Sequence, residues 1–102
     1  MSIELRRSST SQRDFVALVE YFAAIDDDLA RRFMKAVDET IQMIVDFPEL
    51  GIPWKSMHPR FQGLRWRNVL GFGNYLIQYR VNRSDILITR IVDGRRDLDA
   101  IL

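Results

Sequence analysis

Apolar residues recur along this chain with two different periods. Between Phe15 and Ala23 the spacing is helical, with Phe15, Leu18, Val19, Phe22 and Ala23 on one face. Ser11-Gln12-Arg13-Asp14 fits a capping box in which Asp replaces the usual Glu. A first helix is therefore predicted to begin there and to stop near Asp26-Asp27-Asp28. One of those aspartates is placed to cap a second helix, a contribution of about 1 kcal/mol. In that helix Leu29, Phe33, Val37, Ile41 and Ile44 share a face. Pro48 ends it, because the residue before a proline is pushed out of helical geometry.

In the second half the period becomes two. GLRWRNV, NYLIQYRV and DILITRIV carry strand-type residues, and NRSD supplies a polar turn between the last two. The alternation puts Tyr75, Ile77, Tyr79 and Val81 on one face of the middle strand and Leu76, Gln78 and Arg80 on the other. In the last strand Ile86, Ile88 and Val92 are expected to share their face with Arg90. SIELR reads as a short strand at the start of the chain, and PELGIPWKSMHPRFQ as an irregular connection. Two helices with one apolar stripe each need a sheet to pack on. The expectation is one α+β domain spanning residues 1–102, in the order β-α-α-β-β-β.

Composition narrows the chemistry more than the partners. Hydrophobic residues make up 47% of the 102 positions, enough for one folded core. The 15 Lys and Arg nearly balance the 14 Asp and Glu, so electrostatic preference must come from local clustering. The absence of cysteine excludes disulfides and thiol catalysis, and a single histidine leaves no zinc-ligand set. No metal and no cofactor are expected. No apolar run approaches the ~20 residues of a membrane span, and MSIELRRSST lacks the apolar stretch of a secretory signal. The expectation is a cytoplasmic protein with no membrane partner.

Gly71-Phe72-Gly73 precedes a strand rather than a helix and reads as a hairpin turn, not a phosphate loop. His58 is the one side chain whose ordinary pKa suits acid–base work near neutrality, and it stands alone in a proline-flanked loop. The arginines carry more. Arg65 and Arg67 alternate with Trp66, so on a strand both guanidiniums leave the same face. Arg90 lies within the last strand, and Arg95 and Arg96 follow it. Three roles are open on residue chemistry: phosphate neutralisation with aromatic stacking, recognition of a carboxylate-rich helix, or surface pairing with Asp93, Asp97 and Asp99.

Taken together, the leading strand, the helical hairpin ending in FPELG, and then GLR, NYLIQYRV and ILITRIVDGRRDL resemble the RelE/ParE superfamily of bacterial toxins from type II toxin–antitoxin systems. The resemblance is greatest to the ParE, or plasmid-stabilisation, branch. It implies a helical hairpin packed on a small, largely antiparallel sheet, and a cognate antitoxin as partner. RelE-like toxins cut mRNA at the ribosome, whereas ParE-like toxins poison DNA gyrase without chemistry of their own.

Matching the RelE branch residue by residue separates the two. Arg65 and Arg67 stand for its basic pair and Arg96 for its arginine after the last strand. The middle-strand arginine position holds Leu76, and no tyrosine follows Arg96. An arginine cannot replace a tyrosine as base, because it stays protonated. The resemblance therefore implies a non-catalytic gyrase inhibitor, with Arg65, Trp66, Arg67, Arg90, Arg95 and Arg96 as partner-binding residues toward gyrase or antitoxin. Sequence-specific DNA binding by the toxin alone is not expected. A ribosome-dependent endoribonuclease, with His58 as acid or base, is the enzymatic alternative. An inactive relative that only binds an antitoxin is the third.

Overall fold

A computed structural model describes residues 3–55 and 59–96, and His58, Asp97 and Asp99 lie outside them. The chain runs β1 (Glu4–Arg7), α1 (Ser9–Ile25), α2 (Asp27–Asp46), β2 (Ile52–Pro53), β3 (Leu64–Val69), β4 (Phe72–Val81) and β5 (Asp85–Asp93). Single 3-10 turns at Pro48–Leu50 and Pro59–Phe61 flank β2. The sheet order is β1-β5-β4-β3-β2, with only the β1–β5 pairing parallel. A parallel pairing needs a long connection, and here the helical hairpin and three strands separate β1 from β5. The result is an α+β fold, two helices on a mostly antiparallel sheet.

Both helices bury the stripes read from the sequence. Phe33, Val37, Ile41 and Ile44 of α2 are fully buried, with Phe22 of α1 against them. Phe22, Phe33, Phe72 and Tyr75 form an aromatic knot, with ring centroids 4.7–5.8 Å apart and mostly edge-to-face. Such contacts add about 0.5–1.5 kcal/mol each beyond area burial. Asp26 caps α2, accepting from the Asp28 amide at 3.2 Å, and Phe47-Pro48 ends it. Thr40, buried in α2, accepts from the Leu70 amide at 3.0 Å and so fixes the β3–β4 turn over the helix. In that turn Gly71 sits at φ +74, a left-handed conformation that side chains with a Cβ resist.

Three features differ from the sequence reading. Helix α1 starts earlier than Ser11. Ser8 is its cap and accepts from the Ser11 amide at 3.0 Å. The strand decides this: the Ser8 amide donates to the Ile88 carbonyl and its hydroxyl to the Thr89 carbonyl, both at 2.9 Å. Second, the connection after α2 contains β2, whose two residues pair with Trp66 and Arg65 to make the sheet five-stranded. Third, β5 carries a bulge. Gln78 pairs with Arg90 and Tyr79 with Ile88, which leaves Thr89 as the extra residue. One extra residue reverses the alternation. Ile91, paired with Ile77, therefore joins Ile86 and Ile88 in the helix-side core, while Val92, paired with Leu76, is buried on the opposite face.

Tyr79 fastens the connection to the sheet. Its hydroxyl donates to the Pro48 carbonyl and accepts from the Gly51 amide, both at 2.8 Å. Only glycine fits at position 51, since a Cβ there would collide with the Tyr79 hydroxyl. Tyr79→Phe leaves a buried amide without its partner and is expected to cost about 1–3 kcal/mol. A lowered urea midpoint at unchanged slope would register it. Gly51→Ala should be at least as costly, because ring and backbone must both move.

Candidate functional site

The end of β5 is built around a loose strand edge. β1 covers β5 only from Asp85 to Ile88, so the outer edge beyond that point needs other partners. α1 supplies them. After the Ser8 hydroxyl, the Asp14 carboxylate accepts from the Ile91 amide at 3.0 Å. The same carboxylate takes Arg90 in a two-pronged pair, Nε to Oδ2 at 2.7 Å and Nη2 to Oδ1 at 3.1 Å. Both side chains are largely buried, at 23% and 16% exposure. Asp14 is thus the partner of β5 rather than part of a capping box. Asp14, Leu18 and Tyr21 follow helical spacing and all border the same cleft, a signal the sequence did contain.

That cleft is open, about 430 Å³, and bordered also by Tyr75, Asp93 and Arg96. Asp93 ends β5 and accepts from Arg95 through Nε at 2.9 Å, Nη2 at 2.8 Å and the Arg95 amide at 3.0 Å. The hydrogen bonds from the Arg95 side chain hold the Asp93 carboxyl well below its ordinary range, at about 2, and the same pairing raises Arg95. The Arg95 guanidinium also lies 6.0 Å from the Tyr75 ring centre. Arg96 is exposed and makes no ion pair among the described residues, and its amide closes the turn on the Asp93 carbonyl. Burial, with the charge of Asp93 behind it, pushes the Tyr75 hydroxyl up.

Arg65 and Arg67 do leave one face of β3, as expected, opposite Tyr79 and Ile77, while Trp66 faces the other way beside Gln78. Arg65 donates to the Gly51 carbonyl at 2.8 Å. These arginines do not join those after β5 in one site. β4 lies between the two groups, and Tyr75, Ile77 and Tyr79 fill the intervening face. Leu76 is buried on the far face, and a Cβ on Gly94 would press its side chain at 3.0 Å. No group of side chains suited to a metal ion occurs among the described residues, and none of their helices is long and apolar enough to cross a membrane.

Two helices on a five-stranded sheet with a single parallel edge pairing, with arginines within β3 and just after β5, define a small α+β architecture. Over residues 5–98 the chain matches the family described as ParE toxin of the type II toxin–antitoxin system parDE, and it belongs to that family. No curated protein matches it. Among solved structures it is similar to a chain of the chromosomal ParDE TA system from P. aeruginosa. The TM-score is 0.73 at 17% identity, covering 89% of this chain and 95% of that one. It is also similar to a YoeB/ParE toxin from Agrobacterium tumefaciens, with TM-score 0.60 at 16% identity, covering 87% and 95%. At such identities the likeness is one of fold.

Two outcomes are expected from the β5 end. Asp14→Ala removes a charged acceptor from Arg90 and Ile91 together, and should cost about 2–3 kcal/mol, read as a lowered urea midpoint. For Asp93, the folded value of about 2 lies below the ordinary 3.8. Its contribution is therefore complete above about pH 4 and is lost as pH falls through about 2. Asp93→Asn should lower stability at pH 7, where that contribution is complete, and flatten the pH dependence of stability between about pH 4 and 2.

Proposed function

We propose that this protein is a gyrase-directed toxin of the ParE type, neutralised by a cognate antitoxin and acting without chemistry of its own. The observation that carries the reading is Leu76, packed at 8% exposure, which the sequence resemblance matches to the middle-strand arginine of RelE-like nucleases. RNA cleavage through a 2′-hydroxyl also needs a group able to take a proton near neutrality. Tyr75 and Tyr79 are poorly suited, since burial raises both. The Tyr79 hydroxyl is moreover held at both ends by backbone groups.

A recognition role suits what surrounds Arg96. The exposed guanidinium borders a cleft beside Tyr21, itself 55% exposed, an arginine–aromatic pairing common at protein–protein contacts. Family membership implies an antitoxin partner. Val16 and Met34, both exposed, rim a second open groove of about 590 Å³ floored by Leu5, Phe15 and Val37. Exposed apolar surface of this kind supports a protein partner. Arg95 and Arg96 are assigned to recognition of gyrase or antitoxin, with Arg95 oriented by Asp93.

The test incubates purified protein with gyrase, ATP and plasmid, and looks for trapped double-strand breaks. Linear DNA that appears only when gyrase is present supports the reading, and normal supercoiling by a folded protein removes it in favour of ribosome-bound mRNA as target. Arg95→Ala with Arg96→Ala is expected to weaken trapping about tenfold while the thermal unfolding midpoint stays within a few degrees of the parent. Loss of folding in that variant would assign the pair a structural role instead.

A further inference from the structure

The near-neutral chain is electrically lopsided. Residues 51–102 hold nine Lys and Arg against four acids, whereas the first fifty hold six and ten. Of those four, the two among the described residues are both occupied, Asp85 by Arg6 at 3.1 Å and Asp93 by Arg95 at 2.8 Å. Lys55, Arg60, Arg80 and Arg83 consequently have no carboxylate within ion-pair distance among the described residues.

Local structure gathers these four at one corner of the sheet. The Trp54 amide donates to the Leu64 carbonyl at 2.7 Å, and Leu64 pairs with Arg80 across β3 and β4. Arg80 then reaches the loop, donating to the Gln62 carbonyl at 2.6 Å and the Arg60 carbonyl at 3.4 Å. Arg60 lies 4.6 Å over the Phe61 ring, which also lies 6.3 Å from the Trp54 ring. Arg83 stands in the turn just after β4, and Trp66, two residues along β3 from Leu64, is half-buried on the face that carries Arg80. Arg80, held by carbonyls, and Arg60, over a ring, keep their charge in place without neutralising it, and Lys55 and Arg83 are exposed close to them in sequence.

We propose that this corner binds a nucleic-acid strand, independently of sequence, with phosphates on Lys55, Arg60 and Arg83 and bases against Trp54 and Trp66. Guanidiniums suit phosphate oxygens, and an indole can stack on an unpaired base. An acidic helix would also need a wide apolar stripe beside the charges. Ile52, paired with Trp66, and Val81, after Arg80, are too few exposed aliphatic side chains to make one, and the larger exposed set (Val16, Tyr21, Ile25, Met34) lies on the helical hairpin. The contact goes beyond the gyrase reading and does not depend on it.

Fluorescence anisotropy with labelled 20-nucleotide single-stranded DNA, RNA and duplex DNA tests this on the purified protein, and the arms identify which form is preferred. Neutralising three phosphates of a single strand gives a slope of log affinity against log salt near about −2. Lys55→Glu with Arg60→Glu and Arg83→Glu should weaken binding about tenfold or more and flatten the slope. The same reversal on the hairpin, Arg13→Glu with Arg31→Glu and Lys35→Glu, should change affinity less than about threefold. The Gln versions of Lys55, Arg60 and Arg83 serve if the reversed sheet variant does not fold. Equal losses from both triples, no binding by the parent at low salt, or competition by poly-glutamate as effective as by oligonucleotide would each overturn the proposal.

Discussion

The outer edge of β5 must be satisfied along its whole length, and most of the architecture follows from how this is done. β1 pairs with the first four residues and then stops. From there the edge is met by side chains of the helix that follows, the Ser8 hydroxyl on Thr89 and the Asp14 carboxylate on Ile91. An unpaired strand edge beside a packed helix would leave buried amides and carbonyls orphaned, each at about 1–3 kcal/mol. Meeting them from α1 sets the angle at which the helix crosses the sheet. That angle brings Phe22 into the aromatic knot with Phe33, Phe72 and Tyr75.

The same device sorts the arginines by role. Arg90 is drawn inward by Asp14, so its charge is compensated within the fold. Arg95 is held by Asp93, two residues before it in the turn, and exposed Arg96 borders the cleft. On the far side of β4, Arg65 serves a backbone carbonyl of the connection that Tyr79 also fastens. A sequence rich in arginine therefore yields structural, orienting and exposed guanidiniums. Only the exposed ones are available to a partner without cost to the fold.

Much of the fold was legible because its signals are local. The apolar stripes of α1 and α2, the aspartate between them and the proline after them each act within one turn of chain, so the hairpin was readable. The strands and the Gly71 turn were readable for the same reason. The candidate site was legible in part. Arg65 and Arg67 share a face as alternation requires, and Asp93 does pair with a following arginine. What was missed depends on contacts distant in sequence. Ser8 caps α1 because a carbonyl eighty-one positions away meets its hydroxyl. β2, two residues ending in proline, has no pattern of its own and exists because β3 offers it an edge.

The sequence by itself determined the two helices, the first strand and the three long strands, the order in which they come, and the residue chemistry available, because propensity and periodicity reside in neighbouring residues. Tertiary structure alone decided which side of β5 each residue faces past Thr89, since one extra residue in a ladder reverses every position beyond it. It decided equally that Asp14 meets Arg90, and that β4 separates the two arginine groups. Both depend on strand order and register, which are set by how two apolar helix faces and a sheet close over one core.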